Sequence, residues 1–242
     1  FSRSRPRFPE KIYKTIFIDL DDTLWDFSGN SKIAMRHVYE HYNLSRYYPD
    51  YEAYFELYHT RNNELWTLYH HDRLTKDQLM HERIGFLLRR VGLNDTPAFV
   101  NEINETYFSS LKNQSGLRPH AKELLQYLTG KSYPLYILSN GFSEVQFAKM
   151  STAGISHFFS GVILSEEAGV NKPHPDIFHY ALKKAGSSPE ETVMIGDNYD
   201  ADIIGAQAAG IDQIYYNPRR DAITADSPTY TVSSLNEIHN IL

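Results

Sequence analysis

Near its start the chain runs Lys14-Thr-Ile-Phe-Ile-Asp19-Leu-Asp21-Asp22-Thr23-Leu24, an apolar stretch that breaks off into three carboxylates. A short continuous apolar run reads as a strand buried on both faces, the mark of a parallel sheet. Open α/β sheets bind their ligands beyond the carboxyl ends of the strands, so these acids fall where an active site is expected. Asp19 and Asp21, two positions apart at that end, can both reach one phosphorus centre. One then serves as nucleophile and the other as proton donor, which points to phosphoryl transfer through an aspartyl phosphate.

Past this strand the pattern changes to a helical one. Apolar residues at helical spacing, broken by turn signals at Tyr48-Pro49-Asp50, His70-His71-Asp72 and Gly92 to Asp95, predict helices Ser31 to Tyr42, Tyr51 to Tyr69, Thr75 to Val91 and Pro97 to Lys112. From Pro119 onward helix and strand alternate, as in a parallel sheet. The strands are expected at Leu135 to Ser139, Gly161 to Leu164, Thr192 to Gly196, Gln213 to Tyr216 and near Tyr230. The helices between them are Pro119 to Thr129, Ser143 to Ala153, Asp176 to Ala185 and Ala201 to Ala209. A lone first strand cannot bury itself beside helices, so it must join the later sheet. The chain therefore divides into a discontinuous α/β core, residues 12–25 and 117–242, and a helical insertion, residues 26–116. Residues 1–11, with Arg3, Arg5, Arg7 and two prolines, lie outside the fold as a disordered tail or a cloning remnant.

Composition narrows the chemistry. The chain's 242 residues, 41% of them apolar, suffice for a substantial core. No segment nears the roughly 18 apolar residues of a membrane span, and the N-terminus lacks the apolar centre of a signal peptide, so no membrane partner and a cytoplasmic address are expected. Cysteine is absent, so a metal must be held by oxygen or imidazole, and the many carboxylates favour a hard cation. The net charge of −6 with dispersed lysines and arginines argues against a nucleic-acid polymer as partner. A small phosphorylated substrate is expected instead, on a monomer or a small homo-oligomer.

Four places at or beyond strand ends supply the parts of a phosphatase. Asp19 and Asp21 are the first; a carboxylate approaching a phosphate dianion needs a divalent cation between them. Ser139-Asn140-Gly141 offers a hydroxyl and backbone N–H groups to phosphate oxygens. Lys172 can neutralise charge on Asp19 and on the transferring group. The acidic run Asp197, Asp200, Asp202 suits Mg²⁺, which prefers oxygen ligands. Each feature has a plainer reading as a cap, a turn or a solvated charge; their order and shared location favour the site. Among the aromatics of the insertion, Trp66, and beside the first acids Trp25, are the candidates for stacking on a flat ligand, although most such rings simply pack helices together.

In that order, Asp19-Leu-Asp21-Asp22-Thr23, Ser139, Lys172, and Asp197 with Asp202 resemble the four motifs of the haloacid dehalogenase (HAD) superfamily of phosphohydrolases, and the resemblance extends from residue 12 to the end. It implies an α/β, Rossmann-like HAD core with a parallel sheet, into which an α-helical cap is inserted after the first strand. Ile137 to Phe142, Leu164 to Pro173, Thr229 to Leu235 and Asn63-Glu-Leu-Trp66 look like the pyrimidine 5′-nucleotidase branch. By resemblance Asp19 is the nucleophile and Asp21 the general acid, then base. Ser139, Asn140 and Lys172 hold phosphate; Asp19, the backbone carbonyl of Asp21, and Asp197 bind Mg²⁺. Asp202 orients Lys172 or a metal-bound water, a role in which Asp200 is the rival. The second aspartate, Asp21, argues against carbon–halogen cleavage. Hydrolysis of a sugar phosphate or phosphoglycolate, and a sugar phosphomutase, remain the alternatives to a nucleotidase.

Overall fold

The computed structural model describes residues 11–223 and 226–242. The expected tail falls outside them except for Lys11, whose ammonium meets Asp212 at 2.6 Å. Strands β1 (Thr15–Ile18), β2 (Leu135–Ser139), β3 (Gly161–Leu164), β4 (Thr192–Gly196), β5 (Asp212–Tyr216) and β6 (Tyr230–Val232) form one sheet in the order β3-β2-β1-β4-β5-β6. Every pairing is parallel. The first strand lies between β2 and β4, so the order of the sheet reverses beside it and a crevice opens past its carboxyl end.

Soon after β1 come the four helices of the insertion, α1 (Phe27–His41), α2 (Tyr51–His70), α3 (Lys76–Arg90) and α4 (Pro97–Lys112). Their ends follow local chemistry. Asp50 caps α2 by accepting from the Glu52 N–H, and Thr75 and Gln78 form a reciprocal capping box on α3, each device contributing about 1 kcal/mol. Thr96 caps α4, and Pro97 begins it where a missing N–H costs nothing. Helix α1 starts four residues earlier than expected, because Asp26 accepts from the Gly29 N–H and carries Phe27-Ser-Gly-Asn30, a loop-like sequence, into the first turn.

The remaining helices, α5 (Ala121–Gly130), α6 (Ser143–Thr152), α7 (Ser165–Ala168), α8 (Pro175–Ala185) and α9 (Gly205–Ala208), cover the sheet. Alternation along β1 divides the core. Ile16 and Ile18 pack with Leu124 and Leu128 of α5 and with Leu235 and Ile238 of a closing 3₁₀ turn, in an apolar body that continues into the four inserted helices. Phe17, facing the other way, packs with Ile177 and Phe178 of α8 and with Ala206 of α9. Burying both faces is why β1 reads as an unbroken apolar run.

One expected helix takes another form. The segment expected as helix Ala201 to Ala209 begins as a π-helical turn, Tyr199–Ile204, before α9. Its cause is Asn198, whose carbonyl accepts from the N–H groups of both Asp202 and Ile203 and whose side chain accepts from Ala201. Such widened turns are frequent at functional sites. Among the described residues no helix is long and apolar enough to cross a membrane.

Candidate active site

Asp19 is the first residue past β1, held by its N–H on the Ile195 carbonyl of β4. Lys172 arrives from the loop between α7 and α8. Its Nζ donates to Asp19 Oδ1 at 2.8 Å, to Asp202 Oδ1 at 2.7 Å and to the Leu138 carbonyl at 2.7 Å. An ammonium has three protons, and all three are used. Burial works against its charge, but the two carboxylates outweigh burial and hold the ammonium above the usual lysine range.

Asp197, past β4, shares the Thr23 hydroxyl with Asp19: Thr23 Oγ1 lies 2.9 Å from Asp197 Oδ1 and 3.4 Å from Asp19 Oδ2. Ligand atoms of Asp19, Asp197 and Asp202 all fall within 4.8 Å of one another. Burial pushes the Asp19 carboxyl up to about 7 against the pull of Lys172. Burial, followed by the charges of Asp19 and Asp202, drives Asp197 well above the ordinary carboxylate range. Lys172 is thus one cation among three carboxylates, and it does not touch Asp197. Asp202 is already engaged on both oxygens, by Lys172 and by the Asn198 N–H at 3.0 Å. The donor set left over, Asp19 and Asp197, is all oxygen and short of positive charge, which fits a hard divalent cation.

Asp21 lies on the side of β1 facing α6. Lys149 Nζ donates to its Oδ1 at 2.9 Å, and Gln146 Nε2 donates to its Oδ2 at 2.9 Å. Gln146 also donates to Ser139 Oγ at 2.8 Å, where the Gly141 N–H arrives at 3.0 Å. The Ser139 oxygen is occupied as an acceptor while its proton stays available to a ligand. A side chain at either of two glycines would displace a residue of the site. A Cβ at Gly141 would sit 2.1 Å from Gln146 Nε2, and one at Gly196 would sit 2.2 Å from Asp202 Oδ2.

Asp19, Asp21, Ser139, Asn140, Lys172, Asp197 and Asp202 all line one cavity of about 800 Å³, within the usual range for small-molecule sites. The Asn140 side chain is held by the Lys172 backbone, donating to the carbonyl and accepting from the N–H, each at 2.8 Å, so it sets the lysine loop and leaves the Asn140 backbone N–H as the group for phosphate. Two expectations need correction. Asp200 is exposed and pairs with His71 of the helical insertion at 2.8 Å, which leaves the Lys172 contact to Asp202 alone. Trp25 is fully buried and does not line the cavity. Its backbone bridges Asp21 and Leu117, turning the indole into the core beneath Lys149 Nζ, 4.7 Å from the ring. Trp66 does line the cavity, with its ring against Phe142 at 5.0 Å between centroids.

The sequence reading missed Gln146 and Lys149. The available signal was their spacing, three apart on α6 just beyond Ser139-Asn140-Gly141, which sets both on one helical face toward the strand ends. His70, read only as a turn residue, also lines the cavity; burial, with Lys172 and His71 nearby, pushes it down to about 4, so its ring is neutral at pH 7.

The chain is similar to known proteins over nearly its whole length. Residues 13–210 match the family model of haloacid dehalogenase-like hydrolases. The chain is 31% identical to the pyrimidine 5′-nucleotidase PynA of Streptococcus pneumoniae over 96% of this chain and 95% of that one. It is 32% identical to the pyrimidine 5′-nucleotidase YjjG of Escherichia coli over 94% and 96%. A crystal structure of the HAD-hydrolase YfnB of Bacillus subtilis, described as magnesium-bound and as revealing interdomain movement, superposes with a TM-score of 0.86 at 31% identity, covering 96% of this chain and 99% of that one.

Proposed function

The chain belongs to the haloacid dehalogenase-like hydrolases, and from that membership we propose a Mg²⁺-dependent phosphomonoesterase that works through an aspartyl phosphate, with pyrimidine 5′-nucleoside monophosphates as its preferred substrates. The observation that carries the reading is the contrast between two neighbouring carboxylates at the head of one cavity. Asp19 sits in a buried cluster with Lys172 and Asp197, whereas Asp21 faces Gln146 and Lys149.

In the first half of the reaction an Asp19 oxygen attacks phosphorus and the ester P–O bond breaks, while Asp21 gives its proton to the departing oxygen. Lys172 offsets charge on Asp19 and on the phosphoryl oxygens, and Ser139 donates its free proton to one of them. In the second half Asp21 takes a proton from water as that water attacks phosphorus. The bond to Asp19 breaks, inorganic phosphate leaves, and Asp21 is protonated for the next turnover. Mg²⁺, held by Asp19, the Asp21 carbonyl and Asp197, would supply the positive charge that lets a carboxylate meet a phosphate dianion. Residues 26–116 serve as the cap, joined to the core through Lys76, which meets Glu144 at 2.6 Å and Glu166 at 2.8 Å, and through Trp66 on Phe142. Closure of this cap keeps bulk water from the first step.

As found, both Asp21 oxygens accept, which is the arrangement of the proton-taking half. Proton donation requires one of the two partners to give way to the leaving oxygen. Lys149 also sets where the Asp21 carboxyl points, and Lys149→Met is expected, through that lost positioning, to lower kcat/KM for alkyl phosphates by roughly tenfold to a hundredfold. The kcat/KM of p-nitrophenyl phosphate, which reports only the first half of the reaction and a leaving group that needs no proton, should be nearly spared. Equal slowing of both in steady-state assays would remove Lys149 from the proton-transfer step.

The substrate preference rests on the 31–32% identity to two pyrimidine 5′-nucleotidases and on the aromatic wall at Trp66. A phosphate-release panel tests it directly: kcat/KM for dUMP, dTMP and UMP should exceed that for ribose 5-phosphate and phosphoglycolate. The reverse order would leave a phosphatase and discard the nucleotidase.

A further inference from the structure

On the part of the cavity lining that comes from α2 and α3, two polar side chains have no adequate partner among the described residues. Arg83 of α3 is 2% exposed, yet it forms no ion pair with any carboxylate of the described residues. Its Nε and Nη2 both donate to a single neutral acceptor, Asn104 Oδ1, at 2.9 and 2.7 Å. Asn104 is in turn pinned by its donation to the Met80 carbonyl at 2.8 Å. The guanidinium lies against the rings of Tyr107 (5.0 Å) and Phe108 (4.6 Å), which fix its plane. Nη1 has no hydrogen-bond partner among the described residues. Asn62 of α2 is 1% exposed, and its Oδ1 is buried with no hydrogen-bond partner among the described residues. Both residues line the cavity that holds Asp19 and Asp21.

Buried charges are ordinarily paired and buried amides hydrogen-bonded, because desolvation without compensation is costly. A guanidinium only 2% exposed with one neutral partner, lining the same cavity as an amide with an unpartnered oxygen, is incomplete until a ligand arrives. The ligand must bring an acceptor for Arg83 and a donor or second acceptor for Asn62, since an amide can serve either. We infer that Arg83 and Asn62 form the subsite for the carbonyl edge of the pyrimidine base, an inference that rests on the nucleotidase reading above. Uracil and thymine offer a carbonyl beside an N–H, and cytosine a carbonyl beside a ring-nitrogen acceptor; in each case Arg83 takes the carbonyl and the Asn62 amide takes its neighbour. Trp66 supplies the apolar wall, and these two groups supply the polar selection that stacking lacks. Ribose 5-phosphate, which carries no base, leaves the subsite unfilled.

The test separates the subsite from the nucleotidase reading. Wild-type enzyme is first compared on dUMP and ribose 5-phosphate, and an excess on ribose 5-phosphate counts against the nucleotidase. Subsite occupancy is measured separately, as inhibition of p-nitrophenyl phosphate hydrolysis by deoxyuridine, which has the base and no phosphate. Asn62→Leu is expected to reduce kcat/KM for dUMP roughly tenfold and to raise the deoxyuridine Ki to match, with ribose 5-phosphate unchanged. Arg83→Met should do the same by roughly tenfold to a hundredfold. Since the Asn62 oxygen satisfies nothing inside the protein, the leucine variant should melt at or above the parent temperature, which removes misfolding as an explanation. Equal losses on dUMP and ribose 5-phosphate, or an unchanged deoxyuridine Ki in both variants, would overturn the subsite.

Discussion

Asp19→Asn is expected to abolish turnover, by roughly 10⁴-fold or more, together with any covalent phosphoryl adduct. The substitution is nearly isosteric, and the amide oxygen can still accept from Lys172, so the geometry at the end of β1 should persist. It also removes one of three carboxylates crowded around a single lysine, where burial already pushes Asp19 up to about 7. The Asn variant should therefore melt at or above the parent temperature while being inactive. Such a pairing of lost chemistry with retained stability marks a residue kept for reaction and not for folding. Phosphoryl label that persists on the Asn variant would place the nucleophile elsewhere; a large fall in melting temperature would make the loss structural.

Metal removal is the second large effect. In excess chelator, turnover should fall to background, because nothing then offsets repulsion between Asp19 and an incoming phosphate beyond one ammonium already shared with Asp202. Mg²⁺ should restore it. Ca²⁺, with longer and looser coordination, should restore it poorly. A binding readout stands apart from activity: at Mg²⁺ concentrations near a hundred times Kd, linkage adds about 2.7 kcal/mol of stability, visible as a rise in Tm. Asp197→Asn should flatten that rise, since Asp197 has only the Thr23 hydroxyl for company among the described residues. Turnover undiminished in chelator, or a Tm rise that survives Asp197→Asn, would rule out the proposed ligands.

Much of the fold was legible in the linear order of residues. The apolar run through Phe17 announced a strand buried on both faces because both faces are buried, and α4 begins and ends where Pro97 and Lys112 were expected. The acids, Ser139, Lys172 and Asp202 could be picked out because parallel strands deliver their following loops to one end of the sheet, whatever the intervening length. Helices were harder where side chains compete with the backbone. Asp26 capped a start that looked like a loop, and Asn198 widened a turn that looked like ordinary helix.

What only the tertiary structure decided is which polar group meets which. Spacing cannot tell Asp200 from Asp202, two residues apart; the widened turn buries Asp202 against Lys172 and leaves Asp200 on the surface with His71. Nor can it reveal that the Asn140 side chain is held by the Lys172 backbone, that Trp25 turns into the core, or that Gln146 and Lys149 reach across from α6 to Asp21. Hydrophobic periodicity is local, fixed by the 3.6-residue turn and the two-residue pleat, so it survives in one dimension. Hydrogen bonds between Asp21 and Lys149, or between Lys172 and Asp19, join residues 128 and 153 positions apart, and their partners are chosen only when the sheet closes.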